Sequence, residues 1–206
     1  LYSTPRTYVA DVAVVTGLTG STGTVAYDVE IAGSDGGEVQ VALADADGGE
    51  VARATGTTGE LTVESVHPWQ PGEGYLYDLT VEVRGEGDEV VDSYTLPVGI
   101  RTVEVQGNRF LINGEPFYFR GFGMHEDHPI RGKGHDNLSM VHDFELLEWL
   151  GANSLRTSHY PYAEEIYDYA DRHGIVVIDE TPAVGLNMGL AGGVFGAQGF
   201  TTFTEE

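Results

Sequence analysis

Through residues 7–101 apolar and polar side chains alternate in short runs, each closed by a cluster of glycine, aspartate or threonine. The runs are residues 9–15, 25–31, 39–43, 51–55, 61–66, 76–83 and 90–96. Successive side chains of a strand point to opposite faces, so this alternation marks strands buried on one side and wet on the other. The punctuation is Gly17-Leu18-Thr19-Gly20, Gly33-Ser34-Asp35-Gly36-Gly37, Asp45-Ala46-Asp47-Gly48-Gly49 and Gly85-Glu86-Gly87-Asp88. About seven strands in roughly 100 residues is the pattern of an immunoglobulin-like β-sandwich. The chain has no cysteine, so the expectation is the sandwich architecture without the disulfide of antibody domains.

After Gly99 the grammar changes. Phe110-Leu111-Ile112 and Phe117-Tyr118-Phe119 flank Asn113-Gly114-Glu115-Pro116, and Asn-Gly is a strong hairpin signal. Residues 139–150 place Met140, Val141, Phe144, Leu147 and Leu150 at helical spacing, with Gly151 positioned to end the helix. Residues 153–157 read as a short strand. Pro161 can open a second helix over 162–173, with Ile166, Tyr169 and Ala170 on one face and Gly174 as its stop. Ile175-Val176-Val177-Ile178 is a continuous apolar run, expected of a strand buried on both faces. Strand, helix, strand, helix, strand is how a (β/α)8 barrel begins, but a whole barrel needs about 250 residues. The predicted fold is therefore multidomain: an immunoglobulin-like β-sandwich over residues 1–102, then the first three strands of a truncated barrel over 103–206. Residues 185–206, rich in glycine, read as a long loop.

Charge narrows the partners. The chain carries 33 acidic and 10 basic residues, a formal net charge of -23, and Lys133 is its one lysine. Phosphate binding needs the opposite sign, so nucleic acid is excluded as a partner. An acidic surface nearly free of lysine fits a soluble protein held apart by self-repulsion, and it resembles proteins of salt-loving organisms, where concentrated salt screens that repulsion. No apolar run reaches bilayer-spanning length, so no membrane anchor is expected. Leu1-Tyr2-Ser3-Thr4-Pro5-Arg6 has neither an initiator methionine nor the apolar core of a signal peptide. It reads as an internal start, and a cytoplasmic location is the expectation. Without cysteine there is no thiol nucleophile and no thiolate metal site.

A (β/α)8 barrel carries its chemistry at the C-terminal ends of its strands. Three clusters fall there: His125-Glu126-Asp127-His128, Ser158-His159-Tyr160 and Asp179-Glu180. His125 and His128 do not have the spacing that puts two histidines on one helix face for a metal, so no metal site is assigned. Glu126 and Glu180 suggest the carboxylate pair of a glycosidase, but ion pairs with Arg120, Arg131 or Arg156 explain them more simply. His159, just before Pro161, reads equally as a site residue or a packed loop histidine. Asn137-Leu138-Ser139 matches a glycosylation acceptor, a pattern too short to carry weight. Trp69 and Trp149 are expected in a core or an interface. No nucleotide-binding glycine motif and no nucleophile elbow occur, and no cofactor is implied.

The segment Asn113-Gly114-Glu115-Pro116-Phe117-Tyr118-Phe119-Arg120-Gly121 resembles the first barrel strand of the family 2 glycoside hydrolases. Arg131-Gly132-Lys133-Gly134 followed by Val141-His142-Asp143 is similar to the β-glucuronidase branch of that family. So are Ser158-His159-Tyr160-Pro161-Tyr162-Ala163-Glu164-Glu165 and His173-Gly174-Ile175-Val176-Val177-Ile178-Asp179-Glu180. Upstream, His67-Pro68-Trp69-Gln70-Pro71-Gly72-Glu73-Gly74-Tyr75 resembles the family's sandwich signature. The resemblance implies a jelly-roll, an immunoglobulin-like sandwich and a barrel, of which this chain holds the second and the start of the third. It implies retaining exo-hydrolysis of β-glucuronides through two glutamates on the fourth and a later barrel strand, so no catalytic residue falls within residues 1–206.

Two positions carry over as substrate-binding residues, His159, which the resemblance gives a sugar hydroxyl to hold, and His128. His128-Pro129 and Met124 depart from the glucuronidase pattern, and His128-Pro129 looks more like family 2 β-galactosidases. The expected partner is a β-glucuronide, and family members are commonly homo-oligomers. The alternatives are a β-galactosidase-type glycosidase and an inactive sandwich-type binding or assembly module.

Overall fold

The computed structural model describes residues 3–33 and 37–182. The expected loop over 185–206, and Ser34-Asp35-Gly36 within one turn cluster, lie outside the described residues. Chain contacts divide into two units, residues 1–118 with 171–175, and residues 119–170 with 176–206.

The first unit is built from seven antiparallel strands, β1 (Tyr8–Thr19), β2 (Thr22–Ala32), β3 (Glu38–Ala44), β4 (Glu50–Thr55), β5 (Thr58–Val63), β6 (Tyr77–Arg84) and β7 (Val90–Val98). They form one sheet ordered β1-β2-β5 and another ordered β4-β3-β6-β7. Alternate residues face inward, among them Val25, Tyr27 and Val29 of β2, Val39, Val41 and Leu43 of β3, and Leu79 and Val81 of β6. Each fully buried Val or Leu contributes about 1.5–3 kcal/mol relative to exposure. The turn between β3 and β4 shows how its sequence makes it. Asp45 Oδ1 accepts from the backbone N–H of Asp47 and Gly49 at 3.1 and 2.7 Å, and Gly48 takes a φ of 81° that a side chain would resist.

Two turns fall elsewhere than expected. β1 runs on through Gly17 and Leu18, because Gly17 pairs with Thr24 and the reversal is made by Gly20-Ser21. β5 starts three residues before the first apolar position of its run and ends at Val63, short of 66. Its polar start, Thr58-Gly59-Glu60, pairs with β2 through the backbone, and Ser65 turns the chain away with a φ of 54°.

Three short strands follow in the same unit, β8 (Val103–Gln106), β9 (Arg109–Ile112) and β10 (Glu115–Pro116), paired in the order β10-β9-β8. Asn113 and Gly114 take φ values of 53° and 79°, both left-handed, as a two-residue hairpin turn requires. The second strand of the hairpin is Glu115–Pro116, and Phe117 adds one further bond to Phe110. Trp69 is buried here: its indole N–H donates to the Asp171 carbonyl at 2.7 Å and the Arg101 guanidinium lies 4.8 Å from its ring centre.

The second unit holds β11 (Gly121–Met124), β12 (Asp127–His128), β13 (Gly132–Lys133), α1 (Asn137–Trp149), β14 (Ser154–Thr157), α2 (Glu164–His173) and β15 (Val176–Ile178), residues 171–173 of α2 grouping with the first unit. β11, β14 and β15 are parallel and ordered β11-β14-β15, the arrangement of the first three strands of a (β/α)8 barrel. The first of them is Gly121–Met124 and not the phenylalanine-rich run before it. Gly121 passes so near β14 that a Cβ on it would stand 2.1 Å from the Ser154 carbonyl, so the position that looks least strand-like is the one the pairing needs.

α1 is closed at both ends by its own residues. The Asp136 carboxylate accepts from the Ser139 N–H at 3.0 Å. At the other end Gly151 and Ala152 donate to the carbonyls of Glu148 and Leu147, with Gly151 at a φ of 70°. Of the expected apolar face only Phe144 and Leu147 are buried, while Leu150 is 58% exposed. Trp149 is 80% exposed, so it is not a core residue. α2 begins at Glu164, later than Pro161 suggested, since Tyr162 is tied instead to strand ends through its hydroxyl. β15 is not buried on both faces: Ile178 is 44% exposed, and among the described residues β15 pairs only with β14. No helix among the described residues is long and apolar enough to cross a membrane.

Candidate functional site

The parallel register aligns the ends of the three strands, Met124 opposite Thr157 and Arg156 opposite Ile178. The next residues of each strand therefore emerge side by side at one rim: His125, Ser158-His159 and Asp179-Glu180. The rings of His125 and His159 meet edge to face with centroids 5.5 Å apart. Glu180 lies between a guanidinium and an imidazole, its Oε1 at 3.1 Å from Arg156 Nε and its Oε2 at 3.3 Å from His159 Nδ1. The peptide between Ser158 and His159 is cis.

Beneath this rim is a polar network. Asp179 Oδ1 accepts from the Thr157 hydroxyl and from the Tyr167 hydroxyl, both at 2.7 Å. The Glu180 N–H donates to Thr157 Oγ1 at 2.9 Å, so one buried threonine holds the backbone of Glu180 and the carboxylate of Asp179. The Tyr167 hydroxyl also accepts from the Tyr162 N–H at 2.9 Å. The Tyr162 hydroxyl donates to the Ser158 carbonyl at 2.8 Å and closely approaches the Met124 carbonyl. Burial, with the neighbouring Tyr160 next, pushes the Tyr162 hydroxyl well above the usual tyrosine range. Tyr162 is thus a neutral donor that staples the ends of β11 and β14 together. Tyr167 is shifted the same way, by burial first and then by its bond to Asp179.

β12 and β13 form a small hairpin beside the rim. His128 pairs with Gly132, and Lys133 places its ammonium 4.6 Å from the centre of the Tyr160 ring. Glu126 lies 3.8 Å from His135 Nδ1 and receives the Ala163 N–H at 3.5 Å. The ion-pair reading of the two glutamates therefore holds for Glu180 with Arg156. For Glu126 the partner is a histidine, since Arg131 goes to Asp136 at 2.9 Å. Glu180 is thus paired with a guanidinium, whereas Glu126 has only the more distant histidine and the Ala163 N–H beside it. No group of three or more metal-ligating side chains occurs among the described residues. The hairpin, Thr157 and the two tyrosines were missed by sequence reasoning. Only the alternation of β14, which puts Thr157 on an inner face, hinted at one of them.

A cavity of about 820 Å³ lies in the first unit beside Arg6, Glu38, Arg84 and Glu89. Arg84 there is neutralised by Glu82 at 2.5 Å and Asp88 at 3.1 Å, and the lining brings no histidine to it. The rim of the second unit is the better candidate.

Two family descriptions match the chain end to end: "Glycosyl hydrolases family 2" over residues 7–101 and "Glycosyl hydrolases family 2, TIM barrel domain" over residues 103–201. The chain belongs to family 2 of the glycoside hydrolases. It is 53% identical to a β-glucuronidase of Paenibacillus borealis, matching 90% of this chain and 31% of that protein. It is 51% identical to the Homo sapiens β-glucuronidase, over 90% of this chain and 30% of the relative. Among solved structures, the Ruminococcus gnavus β-glucuronidase in complex with D-glucuronic acid superposes with a TM-score of 0.85 at 43% identity, covering 89% of this chain and 32% of that one. The β-D-glucuronidase of Dictyoglomus thermophilum gives a TM-score of 0.83 at 48% identity, covering 90% and 31%. The chain thus spans about a third of the length of the relatives it matches, the sandwich and the first part of the barrel.

Proposed function

We propose that the protein to which this chain contributes its sandwich and first barrel strands hydrolyses β-glucuronides with retention of configuration. The observation that carries this reading is the rim of histidine and clamped carboxylate at the ends of three parallel strands, in a chain 51–53% identical to β-glucuronidases. His159 is assigned a sugar hydroxyl. His128, held at the neck of the β12–β13 hairpin, is assigned a place at the edge of the same pocket. The general acid and the nucleophile are assigned to glutamates on the fourth and a later barrel strand, as the family resemblance implies. An oligomeric, cytoplasmic enzyme working in concentrated salt completes the proposal, the last point resting on the net charge of -23.

The test is hydrolysis of aryl β-D-glucuronide against aryl β-D-galactoside by the full-length protein, at low and at molar salt. A site built for a carboxylate is expected to favour the glucuronide by roughly a hundredfold or more in kcat/KM. Equal rates, or a preference for the galactoside, overturn the assignment.

A further inference from the structure

We infer that Glu180 is a positioning residue that fixes the tautomer of His159, placing the ring proton on Nδ1 and leaving Nε2 as the acceptor for a sugar hydroxyl. The inference rests on the assignment of His159 to the sugar pocket, but its structural half stands without it.

Each oxygen of Glu180 has its own nitrogen neighbour, Arg156 Nε at 3.1 Å and His159 Nδ1 at 3.3 Å. A carboxylate only accepts, so a neutral imidazole facing it with Nδ1 is stabilised when that nitrogen carries the proton. The other ring nitrogen is then a lone pair. The main chain that carries the carboxylate is anchored, because the Glu180 N–H is tied to Thr157 Oγ1 at 2.9 Å and Thr157 is itself bonded to Asp179 at 2.7 Å. Arg156 cannot turn away freely, since its Nη2 donates to Ser158 Oγ at 3.1 Å. The arrangement runs from a buried threonine through a clamped glutamate to a histidine ring, as a supporting residue acts on a site through the group it orients.

The chemistry of an amide makes this testable. In Glu180→Gln, Arg156 can only donate, so it draws the amide oxygen and turns the NH2 toward His159. Nδ1 must then accept, and the proton moves to Nε2. A residue that merely fills space would not reverse a tautomer when replaced by its isostere.

The measurement is the ring-nitrogen chemical shifts of the full-length protein labelled with 15N-histidine, at alkaline pH where the ring is neutral, with His159→Gln to identify the signal. The expected result is a protonated Nδ1 in the wild type and a protonated Nε2 in Glu180→Gln. Alongside it, kcat/KM on the aryl glucuronide is expected to fall about tenfold through KM, the size of one mismatched hydrogen bond to a polar group. A wild-type ring protonated on Nε2 overturns the inference, and so does an unchanged tautomer in the variant. The wild-type spectrum alone decides the matter if Glu180→Gln does not fold. A reversed tautomer in a protein that hydrolyses no glucuronide sustains the positioning role and sinks the glucuronidase reading instead.

Discussion

The two units solve burial differently. In the sandwich, both sheets turn an apolar face inward and each face covers the other. Val25, Val41, Leu43, Leu79 and Val81 are inaccessible to solvent and belong to one cluster of sandwich side chains. In the second unit, Phe144, Leu147, Leu155 and Ile166 are buried between helices and sheet, yet Phe122, Leu150 and Ile178 are 54%, 58% and 44% exposed. Phe122, Leu146, Leu150 and Leu155 line a hollow of about 240 Å³ beside β11, which among the described residues pairs only with β14. A sandwich closes within its own strands, whereas a barrel strand is complete only when both neighbours are present. Among the described residues, the first unit closes its core between its own two sheets, whereas the second leaves part of its apolar surface exposed and gathers polar groups at the rim.

Truncation at matched leucines gives the largest expected contrast. Leu79→Ala, in the middle of β6, is expected to lower the unfolding free energy by roughly 2–5 kcal/mol, as for other fully buried leucines. Leu150→Ala, at the end of α1, is expected to fall within about 0.5 kcal/mol of the wild type, as an exposed substitution does. Denaturant unfolding followed by fluorescence separates the two units, since buried Trp69 reports the first and exposed Trp149 the second. If Leu150→Ala costs as much as Leu79→Ala, the outward face of α1 is covered in solution and the contrast between the units is broken.

The same contrast explains what could be read from the sequence. The seven sandwich strands were legible because alternation reports one-sided burial, and one-sided burial is what a sandwich imposes on strands such as β3 and β6. The two helices were legible from spacing at Phe144, Leu147, Ile166 and Ala170, all of which are buried as their period demands, and β14 and β15 as the short runs that follow them. β11 was not, because Gly121 and Gly123 are there for close approach to β14, a requirement set by a residue more than thirty positions away. Burial of Leu150 and Ile178 was overestimated because apolar identity says that a face wants a partner, not that the partner is at hand. At the rim, strand-end logic placed His125, His159 and Glu180 together. The supports beneath them, Thr157, Tyr162 and Tyr167, are recognisable only from distances.

A smaller effect sharpens the point that the second unit leans on local polar bonds. The Ser139 N–H, with the nearby Arg131 guanidinium adding to it, holds the Asp136 carboxyl below its ordinary range. A carboxyl whose folded value lies below its unfolded one stabilises the fold above the unfolded value, about 3.9, and that contribution disappears as pH falls through the folded value. Asp136→Ala is therefore expected to lower the Tm of α1 at neutral pH, read by far-UV circular dichroism. The gap between variant and wild type should close in acid. Asp136→Asn, which keeps an N-cap oxygen without the charge, should sit near the wild type and show less of this pH dependence. A gap that persists unchanged well below pH 4, or an alanine variant as stable as the wild type at neutral pH, contradicts the cap's role.

The smallest expected effect has the opposite sign and lies inside the unit with the closed core. Tyr27 is buried on β2 across from Gly59, and a Cβ on that glycine would stand 2.6 Å from the Tyr27 hydroxyl. That hydroxyl has no hydrogen-bond partner among the described residues, and burial pushes its titration above the usual tyrosine range. A buried polar group left without a partner destabilises the fold, and removing it relieves that cost without creating a cavity larger than one oxygen. Tyr27→Phe is expected to leave stability unchanged or raise it by about 1 kcal/mol, measured as a shift of the Trp69-reported denaturation midpoint. A loss of stability would mean that the hydroxyl is satisfied in solution. The sandwich would then depend on a polar contact at its centre, and the division between a self-sufficient apolar core and a polar, open second unit would be less sharp than the packing of β2 against β3 and β6 indicates.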